Sequence, residues 1–227
     1  VVNMNLRSLH PDSLFFTPYI IKDFGGKKIA FVGVVTPESL ISEAYSFFDK
    51  QGEQMLSLCE DNLVDEVQKT VNEARKAGAH YVILLSHLGE ASAKNFLTSH
   101  RLVASTRGID VVLDGHTHSR IPCETVLNAD GDTVLLSQTG SRFKNVGKLV
   151  IRPDGRMSTE LIPVDSIKQE SAHVRQVTDS IEAMMAKVTT NKICHSDYRM
   201  DLFDENGRQM VRTRETCIGN LVADAFR

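Results

Sequence analysis

Tryptophan is absent from the 227 residues, and the four cysteines, Cys59, Cys123, Cys194 and Cys217, form no Cys-x-x-Cys pair. The spacing therefore argues against a cysteine zinc site, and it neither supports nor excludes a disulfide. The expected state of most of the four is a buried free thiol. No apolar run approaches the roughly 18 residues that a membrane span needs. Neither sign of charge dominates: 26 Lys and Arg face 29 Asp and Glu, a formal net charge of −3. That balance gives no electrostatic case for nucleic acid or an anionic membrane as main partner. A signal-peptide pattern is also missing, but the chain opens on Val1-Val2-Asn3-Met4-Asn5-Leu6, a stretch that reads as the middle of a fold. The compartment is therefore not legible from this end.

What is present reads as a globular protein, with 41% hydrophobic and 24% charged residues. The length suits one large domain, or one domain and part of another. Residues 14–22 and 28–35, rich in aromatic and β-branched side chains, are expected as strands joined by the hairpin signal Asp23-Phe24-Gly25-Gly26. A helix is expected over 60–77, where Leu63, Val64, Val67, Val71 and Ala74 recur at helical spacing and Gly78 follows. Residues 81–85 form a short unbroken apolar run, the pattern of a strand covered on both faces. A helix over 99–106 leads through Gly108 to a strand over 109–113.

That alternation argues for a layered α/β sheet. The pattern then changes to a meander of strands over 123–127, 133–137, 146–152 and 157–164, separated by turns such as Pro153-Asp154-Gly155. Two packed sheets with helices outside are the expected result. A second helix, over 171–190, carries the stripe Val174, Val177, Ile181, Met184, Met185 and Val188 and is expected to pack one face on a domain. A short strand pattern and a helix from Cys217 onward close the chain.

Chemistry concentrates at two strand ends. Gly115-His116-Thr117-His118 follows the apolar run Ile109-Asp110-Val111-Val112-Leu113, and His87 follows Tyr81-Val82-Ile83-Leu84-Leu85, just before Gly89. A lone histidine at a strand end is usually a hydrogen-bonded structural residue, and His10, His80, His100, His173 and His195 are read that way. His87, His116 and His118 differ because all three fall at carboxyl ends of strands in one sheet, where ligand sites of open α/β sheets lie. Neutral imidazole is also the commonest metal-ligating side chain.

These residues carry a resemblance. Ser86-His87-Leu88-Gly89, the run from Gly108 to His118 and Ser137-Gln138-Thr139-Gly140 resemble the second half of a calcineurin-like metallophosphoesterase domain, in its 5′-nucleotidase branch. The stretch from Arg212 to Ala225 resembles the opening of that branch's C-terminal, nucleotide-recognising domain. The resemblance implies an α/β fold, the C-terminal half of a layered α-β-β-α sandwich, over residues 1–170. It also implies an interdomain linker helix over 171–190 and the beginning of the second α/β domain over 191–227.

The same resemblance implies that His87 and His116 bind one divalent metal and that His118 stands at a ligand position of a second. Two ions, Zn, Mn, Fe or Co, are the implied cofactors, since imidazole with carboxylate suits these metals. Asp114 is expected to brace the turn rather than bind metal. The series that opens the family, an Asp-x-His strand end, then Gly-Asp, then Gly-Asn-His-Glu, is not found ahead of His87, so no catalytic residue is expected in this chain, which should start just downstream of that series and be inactive alone.

The implied activity of the intact protein is dimetal-dependent hydrolysis of nucleotide phosphoesters. Same-fold alternatives are a 2′,3′-cyclic-nucleotide phosphodiesterase, a UDP-sugar hydrolase or a thiosulfate-ester hydrolase. A metal-free binding module and a nucleic-acid-processing phosphoesterase are the readings from other classes. Partners are then a nucleotide or nucleotide-sugar substrate and no nucleic acid, and the family analogy places the protein outside the cytoplasm.

Overall fold

In the computed structural model the described residues are 1–92, 95–192, 195–211 and 213–227, so Cys194 and Arg212 lie outside them. They divide into two compact units, Val1–Lys168 and Gln169–Arg227. The first unit opens with strands β1 (Leu6–Leu9), β2 (Asp12–Leu14), β3 (Tyr19–Phe24) and β4 (Lys27–Val35), then the short helix α1 (Ser39–Ser42) and β5 (Leu56–Leu58). It continues with α2 (Leu63–Lys76), β6 (Tyr81–His87), α3 (Ser99–Ser105) and β7 (Val111–Asp114). Strands β8 (Arg120–Leu127), β9 (Thr133–Thr139), β10 (Asn145–Ile151) and β11 (Met157–Pro163) complete it. The second unit holds α4 (Ala172–Thr189) and α5 (Cys217–Phe226).

The main sheet runs β3-β4-β6-β7-β9-β8. Its four inner strands are mutually parallel, and the two edge strands pair antiparallel. On one face Val32, Val82, Leu84, Val112, Val134 and Leu136 pack with the buried side of α2. That side consists of Leu63, Val67, Thr70, Val71 and Ala74, and Asp65 and Glu66 in the first turn face Arg75 and Lys76 in the last, as the helix dipole favours. On the opposite face Ile29, Ile83 and Val111 meet Leu149, Ile151 and Met157 of the β10–β11 hairpin.

Three expectations are corrected. The strand expected over 14–22 is broken: β2 ends at Leu14 and β3 begins at Tyr19, after Pro18, which has no N–H to give a ladder. The meander expected over 123–164 is instead two separate hairpins. β9 leaves the meander to lie parallel to β7, while β10 and β11 form their own two-stranded sheet. The reason is that β9 is apolar on both faces, with Val134 and Leu136 in one cluster and Leu135 in the other, so it must be covered twice. Finally, Cys59, Cys123 and Cys217 are free, but Cys123 and Cys217 are exposed rather than buried. Cys123 sits on the edge strand β8, beside a register shift between Ile121 and Glu124.

The helix expected over 60–77 begins three residues late, at Leu63, with Asn62 at its N-cap accepting from Cys59 Sγ rather than from a helix N–H. In α4 no side chain is buried, and the stripe from Val174 to Val188 is exposed along its length. No helix among the described residues is long and apolar enough to cross a membrane.

Candidate metal centre

Registers bring the carboxyl ends of the parallel strands level. Val35 pairs with His87, Leu85 with Leu113, and Asp114 with Gln138. The chain leaves this edge through Thr36-Pro37-Glu38 after β4, Leu88-Gly89-Glu90 after β6 and Gly115–Ser119 after β7. His87 and His116 meet there, their ring centroids 5.4 Å apart and their planes inclined at 64°.

Two glycines make that approach possible. A Cβ on Gly115 would stand 2.8 Å from His87 Nδ1, so the His87 ring lies against a bare Cα. Gly89, at φ +78°, leaves room for the turn itself, since a Cβ there would stand 2.7 Å from Thr117 Cγ2. His116 and His118 both adopt left-handed backbone, at φ +84° and +59°. Such residues cost about 1–3 kcal/mol each and persist only where their surroundings hold them.

Gln138 supplies much of that hold. It is buried on β9, accepts from Ser119 N at 2.8 Å through Oε1, and donates through Nε2 to Thr117 Oγ1 at 3.1 Å. The hydroxyl of Ser119 also donates to Glu90. Asp114 Oδ1 accepts from Gly89 N at 3.2 Å, tying the β6 exit to the β7 exit.

Burial pushes His87 below the usual histidine range, the His116 ring adds to this, Asp114 opposes it and His118 adds a smaller push. At neutral pH His87 is therefore a neutral ring with a lone pair to give. The other oxygen of Asp114, Oδ2, is buried and has no partner. Two imidazole rings side by side, one of them held neutral, are donors that suit a divalent cation chemically. Among the described residues, however, no group of three His, Cys, Asp or Glu side chains stands close enough together to hold a metal ion. The structure thus brings His87 and His116 side by side and places His118 in the same turn, two residues on.

Sequence reasoning missed Glu38. Its Oε2 lies 3.1 Å from His116 Nε2, across 78 residues of chain. The available signal was its position three residues beyond a strand that now proves to neighbour β6 in register. Two of the remaining histidines have structural partners. His80 Nδ1 accepts from Lys28 N at 3.0 Å, and His100 Nε2 lies 3.0 Å from Glu124 Oε1.

No family model matches the chain. Curated relatives do. The trifunctional nucleotide phosphoesterase protein YfkN of Bacillus subtilis is 24% identical over 220 residues, spanning 92% of this chain and 14% of that protein. The cell wall protein Lmo0130 of Listeria monocytogenes is 23% identical, spanning 93% of this chain and 28% of that one. A 2′,3′-cyclic-nucleotide 2′-phosphodiesterase/3′-nucleotidase of Haemophilus influenzae is 31% identical over 134 residues, 54% of this chain and 19% of that one. Among solved structures, the 5′-nucleotidase precursor of Thermus thermophilus superposes with a TM-score of 0.70 at 20% identity, over 99% of this chain and 45% of that one.

Two of these relatives and the solved structure are thus nucleotide phosphoesterases or nucleotidases by name, and the resemblance read from the histidine motifs is borne out. The mixed α/β architecture is that of the 5′-nucleotidase type. The chain spans less than half the length of each of these proteins.

Proposed function

We propose that this chain supplies the His87, His116 and His118 side of a two-metal centre in an enzyme that hydrolyses nucleotide phosphoesters. The observation that carries the reading is the pair of rings on adjacent parallel strand ends, 5.4 Å apart, with His87 held neutral by burial. Residues 1–170 then form the C-terminal part of the catalytic domain, 171–190 the linker helix, and 191–227 the start of the substrate-recognition domain. Divalent ions such as Zn, Mn, Fe or Co would supply Lewis-acid activation and charge neutralisation when bound.

The work of this chain is to hold the ligands. β6 presents His87 and the strained turn after β7 presents His116 and His118. Gly115 and Gly89 let the two segments approach, and Gln138 and Asp114 keep the turn in place. Two or three imidazoles are fewer donors than two metals need, so the chain alone is expected to bind metal weakly and to turn over no substrate.

The favoured substrates are 5′-nucleotides. Cyclic nucleotides are the second reading, supported by the cyclic-nucleotide relative, 31% identical where the two align. Action outside the cytoplasm is supported by the relative named as a cell wall protein. The test is phosphate release from 5′-AMP, 2′,3′-cyclic AMP and UDP-glucose by the longest gene product carrying this chain, with Mn or Zn. His116→Ala should lower turnover by more than the about 10–100-fold that loss of an outer partner of a metal ligand costs. Undiminished turnover in that variant would sink the reading.

A further inference from the structure

We infer that Glu38 is the positioning residue of His116: its carboxylate holds the Nε2–H of that ring, so that the lone pair is left on Nδ1. The inference rests on the metal-centre reading only for its purpose; the contact is a property of this chain. His116 Nε2 stands 3.1 Å from Glu38 Oε2, and the two side chains are 26% and 23% exposed, so water competes with the contact only in part. An ionised carboxylate offers acceptors alone, so the ring nitrogen in this bond is the donor. In a neutral imidazole the other nitrogen then carries the lone pair.

The backbone places Glu38 for this task. Thr36, itself buried, donates from its N–H to the His87 carbonyl at 3.1 Å and accepts from Glu38 N at 3.2 Å through its hydroxyl. The Glu38 carbonyl, at the N-cap of α1, in turn accepts from Ile41 and Ser42 of that helix. Glu38 is therefore anchored on both sides, and it reaches the one residue of the turn with the most positive φ, His116 at +84°. An imidazole on a strained turn would otherwise rotate and exchange tautomers. Histidine ligands commonly give their second N–H to a carboxylate, which fixes ring orientation and raises ligand basicity. Glu38 meets that description without being placed among the ligands.

The experiment uses the 227-residue chain with 15N-labelled histidine at pH 8, where free imidazole is neutral. Two-bond 15N–1H correlation spectra should show His116 as a single Nε2–H tautomer. Glu38→Ala should lose that signature, and Glu38→Gln, whose amide oxygen still accepts, should keep it, which separates positioning from general loss of fold. Titration with Zn(II) alone, followed at the His87 and His116 rings, should give about 10–100-fold weaker binding in Glu38→Ala and a smaller loss in Glu38→Gln. A wild-type His116 in the Nδ1–H form overturns the inference, as does a Glu38→Ala chain with unchanged tautomer and zinc affinity. If zinc leaves both wild-type rings unperturbed while Glu38→Ala still disturbs the tautomer, the metal reading fails and the positioning role stands.

Discussion

Gly115 shows how one hydrogen atom in place of a methyl can decide a site. Its Cα is the floor on which the His87 ring rests, and any Cβ would enter the ring's van der Waals space at 2.8 Å. Gly115→Ala is expected to destabilise the chain by about 1–3 kcal/mol, the usual range for overpacking, and to move the His87 ring resonances. Urea denaturation with histidine NMR measures both, and an unshifted midpoint with unmoved rings would contradict the geometry. Asp110 acts at the other end of the strands. Its Oδ2 accepts from Val82 N at 2.6 Å and from Arg75 Nη2 at 2.7 Å, joining β6, α2 and the start of β7. Burial nevertheless raises its carboxyl above the ordinary aspartate range, outweighing the lowering by those two donors.

The sign of the resulting pH effect follows from proton counting. Between the ordinary aspartate value of about 3.9 and the raised folded value, the native chain binds more protons at Asp110 than the unfolded chain. The contribution of this group is therefore full below the unfolded value and falls as pH rises through the folded one. In Asp110→Asn that falling component should vanish from a plot of urea midpoint against pH. A plot that superposes on the wild type would show that Asp110 is not the source.

At the scale of the element, β9 and α4 behave in opposite ways. β9 is buried on both faces and carries Gln138 to the site edge, so its apolar run and its polar end are both used. α4 has an equally regular apolar stripe, yet Ile181 is 50% exposed and Val188 73%. Ile181→Ser should accordingly change the stability of this chain by less than about 0.5 kcal/mol, as surface substitutions do. A loss of about 2 kcal/mol or more in the same denaturation experiment, the scale of a core substitution, would mean that the stripe is covered in solution. The contrast also explains where reading by pattern worked. Periodicity located α2, β6 and α4 within a few residues, because side-chain spacing records which face is apolar. It mistook β9 for part of a meander, because a strand's neighbour is chosen by distant residues such as Leu113 and Ser137, which pair in the parallel ladder.

The whole molecule consists of two units that meet in sequence at Lys168 and Gln169, within an exposed stretch over 165–171. Brief trypsin treatment should cut at Lys168 ahead of sites in the sheet and release a resistant Val1–Lys168 product, which mass spectrometry would identify. Prior cleavage within strands β4, β6, β7 or β9 themselves would contradict the division, since buried paired backbone opens only with the unit. At this scale the composition says only that near-balanced charge gives no electrostatic case for nucleic acid or an anionic membrane as main partner.

From the amino-acid order alone came the strand-ending glycine turn, the His-x-His within it, the second histidine after another apolar run, and the superfamily these resemble. All are local: a few adjacent residues contain the whole signal. Only the tertiary structure decided that His87 and His116 stand 5.4 Å apart, that Gln138 and Asp114 brace them, and that Glu38, 78 residues away in the chain, faces the His116 ring. Parallel pairing is the physical reason. Strands joined through helices become neighbours by long-range packing of their buried faces, and no short stretch of sequence records which ends will come level.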